Sequence, residues 1–252
     1  ADLDLEPLDS IETSKISLSH KVLSLVPYFN SHDVGINVTT AVFVKNLIEK
    51  AETKLKNDEY DKYVNYLQRA TQLGSACAAA KLGDVYNRGL NFIIVPDYAA
   101  AAAYYFLSLK LIMMIPYASW DMTLLLDVAI GLTELYQSRL SNECDEDIIS
   151  HGVKIMRNID EKLQDPHFIR ILTHQDVQKR RAIRIHMNFC FALAAMTTGN
   201  IFEAALSFHE CELVGECGIE TADKLVKKSQ LHIKLIDSSL PRIPPICGLL
   251  RE

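Results

Sequence analysis

The 252 residues carry a net charge of −6, with 49% apolar and 23% charged side chains. That composition excludes a disordered chain, and the acidic balance argues against a general nucleic-acid binder, which needs a basic footprint. Ten glycines and eight prolines are about 7% of the chain, against roughly 12% on average, which disfavours sheet-rich folds with many tight turns and favours helices joined by short polar corners.

The first residues, 1–38, form an acidic lead holding Pro7 and read as partly extended, with a short helical stretch from Ile16 to Val26 stopped at Pro27. A helical domain follows over 39–237. Val44, Leu47, Ile48, Ala51 and Leu55 step by three and four along one helix face. After a corner at Asn57-Asp58, Tyr60, Tyr63, Val64, Leu67 and Ala70 repeat the pattern, which predicts an antiparallel hairpin. Ser75 to Asn87 and Asp97 to Met114 form the next pair, joined by a loop from Arg88 to Pro96. Ala79, Gly83, Ala101 and Ala102 stand where these helices meet. A glycine in mid-helix costs about 1 kcal/mol against alanine, so Gly83 is expected to serve packing.

The most apolar run, Ala99 to Ile115, contains Lys110 and falls short of the roughly 20 residues of a membrane span. It reads as a buried helix. Met122 to Leu140 and Asp147 to Leu163 make a third, degenerate hairpin, with the acids Glu143 to Asp147 at the start of its second helix, where the dipole favours negative charge. Asp176 to Thr198 pairs with Ile201 to Leu213. A last helix carries Ala222, Leu225, Val226, Ser229, Ile233 and Ile236. The tail over 238–252 holds Pro241, Pro244 and Pro245.

Two segments resemble known repeats. Lys81-Leu82-Gly83-Asp84-Val85-Tyr86-Asn87-Arg88-Gly89, followed by Asp97, Ala101, Tyr104 and Tyr105, resembles a Sel1-like repeat. The loop after Gly89 is about two residues long for that family, and Ala100 replaces its usual lysine. Ala192, Gly199, Asn200, Glu203, Ala204, Phe208 and Cys211 are similar to the core of a tetratricopeptide (TPR) repeat, and Leu47, Ala51, Tyr60, Leu67 and Ala70 fit that template more loosely. Both repeats are helical hairpins that bury their faces by stacking. The resemblance implies an all-α, right-handed α-solenoid of stacked antiparallel hairpins. The repeats are irregular, because Gly83 and Ala192 are 109 positions apart, not a multiple of 34.

Chemistry is sparse. No GxGxxG, GxxxxGK[ST] or GxSxG occurs, and His209-Glu210 lacks the second histidine of a zinc-protease motif, since Leu213 stands there. His186 and Cys190, four apart, face a helix carrying His209 and Cys211. This is a conceivable metal set, but Cys211 falls on a core position of the repeat pattern, so no metal and no cofactor is expected.

The binding residues singled out are of three kinds. Phe189, Leu193 and Met196 offer an apolar groove for a partner peptide or helix. Lys179, Arg180, Arg181 and Arg184 gather four cations within six residues, suited to an acidic peptide, a phosphate or RNA. Tyr66 and Tyr104 are candidate exposed anchors among many core tyrosines. TPR domains that bind chaperone C-termini clamp the terminal carboxylate with lysine, asparagine and arginine. The matching places here hold Ile48, Glu52, Ala80, Asp84, Phe189 and Leu193, so that clamp is not expected.

The reading is a non-catalytic adaptor, scaffold or assembly factor with a protein partner. An organellar RNA-associated factor and an enzyme subunit are the alternatives weighed. Six cysteines without a CxxC pair point to an intracellular, reducing compartment. The cytoplasm fits first, with mitochondria or another organelle left open because the chain begins at Ala1.

Overall fold

A computed structural model describes residues 38–138 and 146–239. Among these the chain is all-helical, with no strand beyond one isolated bridge between Leu90 and Ile94. Ten α-helices follow one another: α1 (Val38–Lys56), α2 (Tyr60–Gln72), α3 (Ala76–Arg88), α4 (Tyr98–Met113), α5 (Met122–Ser138), α6 (Glu146–Leu163), α7 (Pro166–Ile171), α8 (His174–Thr197), α9 (Ile201–Val214) and α10 (Glu220–Ser239). The stretch Ile16 to Val26, the acids Glu143 and Asp145, and most of the expected lead and tail lie outside the described residues.

Local chemistry accounts for the helix starts. Ser75, Asp97, Thr173 and Asn200 each accept a backbone N–H from the first turn of the following helix, satisfying a donor that would otherwise lack a partner. The short α7, absent from the sequence expectation, is set by the same device. Asp165 accepts from His167 N–H and Pro166 occupies the first helical position, where its missing N–H costs nothing.

Three apolar cores run in series. One core joins α1, α2, α3 and α4, a second joins α4, α5, α6 and α8 with Ala80 of α3 and Phe168 of α7, and a third joins α8, α9 and α10. Helix α4 turns Tyr104, Leu107 and Leu111 to the first core and Tyr105, Phe106 and Leu109 to the second. A helix apolar on all sides can be stable in water only if neighbours enclose it, and α4 is buried from Ala100 through Leu109. This is the buried helix expected of the Ala99–Ile115 run. No helix among the described residues is long and apolar enough to cross a membrane.

Close approach around α4 depends on glycines. A Cβ on Gly83 would stand 2.6 Å from the Tyr105 ring, and one on Gly131 would stand 2.5 Å from the same ring's far end. Tyr105 thus lies between α3 and α5, its hydroxyl donating to Asp84 Oδ1 at 2.6 Å.

The hairpins α1–α2, α3–α4 and α8–α9 pack as antiparallel pairs, as expected. The third expected hairpin is corrected. Helix α5 packs chiefly on α8, and α6 packs on α4 and α8, instead of on each other. Only their facing ends are joined, by Tyr136 Oη donating to the Ile149 carbonyl.

Candidate partner-binding cleft

Helices α5, α8 and α10 lie side by side in the same direction. Contacts from α5 to α8 advance together along both chains, from Thr123 with Lys179 to Thr133 with His186 and Cys190. The next pair does the same, from His186 with Thr221 to Phe189 with His232. At the C-terminal ends of these helices the surface opens into a cleft of about 600 Å³, lined by Gln137 of α5, Phe189 and Leu193 of α8, and Lys228, Leu231, His232 and Leu235 of α10. Leu231 and Leu235, one turn apart, are 60% and 65% exposed. Lys228 has no ion-pair partner among the described residues.

Of the expected groove residues, Phe189 and Leu193 both line this cleft. Phe189 supports the cleft floor from within the third core, 1% exposed and edge-on to the Phe208 and His232 rings. Phe208 and His232 themselves stack face to face, with centroids 4.6 Å apart. Met196 is exposed on the last turn of α8 but is not among the lining residues. Its i, i+4, i+7 spacing keeps it on the face of Phe189 and Leu193, but it stands on the last turn of α8, beyond the lining residues.

Tyr104 is corrected outright. It is fully buried and stacks on Tyr86 with centroids 5.5 Å apart, because α4 has no solvent face at that position. Tyr66 is half-buried against the first core.

The basic cluster is engaged within the chain. Lys179 pairs with Asp176 at 3.6 Å and reaches Thr123 on α5. Arg180 donates to the Leu163 carbonyl at the end of α6, and Arg181 donates to the Val214 carbonyl at the end of α9 and to the Glu216 carbonyl just beyond it. Arg184 meets Asp160 at 3.0 Å and Glu210 at 3.6 Å, with both members of the Arg184–Asp160 pair nearly enclosed. The expected unfavourable charge at a helix N-terminus is thus offset by helix-end carbonyls and carboxylates of neighbouring elements. Four cations anchor α8 to α5, α6 and α9 instead of standing free for a ligand.

The histidine and cysteine positions are core positions. His186 is held between Thr133 Oγ1 at 2.9 Å and Thr221 Oγ1 at 3.3 Å, and burial pushes its pKa down to about 4, so the ring is neutral at pH 7. Burial raises both Cys190 and Cys211 to about 12, which keeps them as unreactive thiols. His209 points elsewhere, toward Glu212 at 3.0 Å on the exposed side of α9. Among the described residues no three His, Cys, Asp or Glu side chains converge to hold a metal.

Sequence reasoning missed Leu231, Leu235 and Lys228. Their signal was present: in a helix whose apolar stripe is Ala222, Leu225, Val226, Ser229 and Ile233, the leucines at 231 and 235 fall off the stripe. Comparison with protein-family models, with curated proteins and with solved structures returned no match to this chain.

Proposed function

We propose that this chain is a right-handed α-solenoid of TPR/Sel1-like hairpins acting as a non-catalytic scaffold, adaptor or assembly factor, and that it binds a partner segment in the cleft formed by α5, α8 and α10. The three antiparallel pairs α1–α2, α3–α4 and α8–α9 support the solenoid, since its repeats are helical hairpins that bury their faces by stacking. The observation that carries the binding reading is the cleft itself. Two leucines more than half exposed border a floor of Phe189 and Leu193, with Lys228, which has no ion-pair partner among the described residues, on the rim. Grooves of this kind take an amphipathic helix or an extended apolar segment, and Lys228 favours a carboxylate on it.

The four described cysteines are free thiols, three of them buried, which fits a reducing intracellular compartment.

The test is affinity capture of the native protein beside its Leu231→Asp and Leu235→Asp variants, with quantitative mass spectrometry of the eluates. Partners held by the cleft are depleted at least tenfold by both substitutions while the melting temperature stays within about 2 °C. A partner set unchanged by both sinks the cleft reading. Phe189→Asp is unsuitable, because it would bury a carboxylate in the third core.

A further inference from the structure

The loop between α3 and α4 carries a second surface, independent of the cleft. It is a small hairpin: Leu90 N–H donates to Ile94 O at 3.0 Å, Ile94 N–H returns to Leu90 O at 3.1 Å, and Ile93 N–H donates to Leu90 O at 2.9 Å. The two residues at its tip, Asn91 and Phe92, have φ of 45° and 64°. Two consecutive left-handed residues are the mark of a type I′ turn, whose second position is normally glycine. A bulky residue there is an outlier, and its side chain gains nothing from the fold: Phe92 is 101% exposed, with Ile93 at 58% and Val95 at 75%.

The tip is held in place. Asn91 Nδ2 donates to Tyr60 Oη at 2.9 Å, and Tyr60 Oη donates to Asp58 Oδ1 at 2.7 Å, which ties the turn to the start of α2. Leu90 and Ile94 pack on the first core. At the base, a Cβ on Gly89 would stand 2.8 Å from the Ile94 carbonyl, so the strands close tightly. Asp97 N–H then donates to the Tyr86 carbonyl. Inward residues fix the loop while three apolar side chains project from it, a preorganised arrangement that lowers the ordering cost of binding.

Charge decides the kind of surface it meets. The loop over 89–97 holds no cation; Arg88 at the end of α3 pairs with Glu134, and Lys54 of α1 and Lys62 of α2 both pair with Glu59. Asp58 and Asp61 have no ion-pair partner among the described residues. Anionic lipid surfaces attract clusters of lysine and arginine; here Lys54 and Lys62 are committed to Glu59 and Arg88 to Glu134, which leaves Lys56 against the two carboxylates. We propose that the Leu90–Val95 tip is a docking wedge that seats Phe92, with Ile93 and Val95, in an apolar pocket of a partner protein whose rim carries lysine or arginine facing Asp58 and Asp61.

The test places the photo-crosslinker p-benzoylphenylalanine at position 92 of the full chain, in extract of the cells that express it, with the same probe at Phe202 as an exposed control. The expected result is a protein adduct specific to position 92, whose crosslinked peptide borders an apolar pocket with basic residues at its edge. The purified adduct partner is then titrated with variants. Phe92→Asp and Phe92→Gly weaken binding at least tenfold, and Phe92→Gly leaves the melting temperature unchanged or raised, because glycine accepts the left-handed turn. The adduct persists in Leu231→Asp, which separates this surface from the cleft. Four results overturn the proposal: no adduct specific to position 92; an adduct only to residues 1–37 of the same chain or to a second copy; sedimentation with 7:3 phosphatidylcholine–phosphatidylserine vesicles in place of a protein adduct; or a fall in melting temperature for Phe92→Gly, which would make Phe92 a structural residue.

Discussion

Helices α4 and α10 are of similar length, yet they relate to solvent in opposite ways. Neighbours surround α4 on two cores, so even the hydroxyl-bearing Ser108 and Tyr104 are buried. Helix α10 packs on α8 and α9 along one side, and its Leu231 and Leu235 face outward. The same residue type therefore has different work in the two places. A leucine in α4 is cohesion, whereas a leucine on the open side of α10 contributes little to the fold and is free to bind. Exposure here follows from how many elements flank a helix, not from hydrophobicity of the side chain.

Matched substitutions at enclosed and open sites break or sharpen this contrast. The largest effect is expected for cations. Arg184→Leu leaves the enclosed Asp160 without its guanidinium and is expected to cost about 4 kcal/mol in chemical denaturation, whereas Lys228→Leu on the cleft rim changes stability by less than about 0.5 kcal/mol. If Arg184→Leu instead proves neutral and abolishes partner capture, the cluster is a ligand site after all.

For apolar truncation, Leu107→Ala in α4 is expected to cost about 3 kcal/mol, and Leu231→Ala in α10 less than about 0.5 kcal/mol. Equal losses at the two positions would mean that something covers α10 in solution.

Histidine provides a pH-dependent counterpart. His186 has a folded-state pKa near 4 against about 6.5 when unfolded, so the unfolded chain binds the proton more readily between those values. Stability from this site is full above pH 6.5 and is lost as pH falls toward 4, by up to about 3 kcal/mol. Urea midpoints measured from pH 7 to pH 4 should fall less steeply in His186→Gln than in the parent. His232, on the cleft side of α10, is also lowered by burial and by Lys228, and its removal should alter the slope less.

The smallest effect is expected at Gly83→Ala. Better helix propensity is opposed by the Tyr105 ring 2.6 Å from the new methyl, giving a net loss of about 1 kcal/mol, and Gly83→Ala with Tyr105→Leu should recover part of it. The same exchange at Gly199, where nothing lies within 4 Å, meets only its positive φ.

Much of the architecture was legible along the chain. The stripes from Val44 to Leu55 and Tyr60 to Ala70, the start at Asp97 and the turn at Gly199-Asn200 appear as helices α1, α2, α4 and the α8–α9 corner. Gly83 was read as a packing residue and meets Tyr105, but Gly131, which seats the same ring from α5, was not singled out, because it lies outside the repeat-like segments that drew attention to Gly83. The cleft was half legible. Phe189 and Leu193 were found from their positions on α8, while Leu231 and Leu235 needed knowledge of which side of α10 faces a neighbour. The burial of Tyr104 and the intramolecular partners of the cations at 179–184 were not legible for one shared reason: a tyrosine or an arginine suits a surface or an enclosed bond equally well, and only its surroundings choose.

What the amino-acid sequence determined by itself is the helical class, the positions of most helices and the scarcity of catalytic motifs, because periodicity, capping and glycine placement are short-range properties of the chain. What only the tertiary structure decided is the pairing of α5 with α8 instead of α6, the commitment of the basic cluster to neighbouring helices, and which apolar residues remain in water. These depend on contacts between residues tens of positions apart, where each helix face has several compatible partners and the choice among them is made by the packing of the whole.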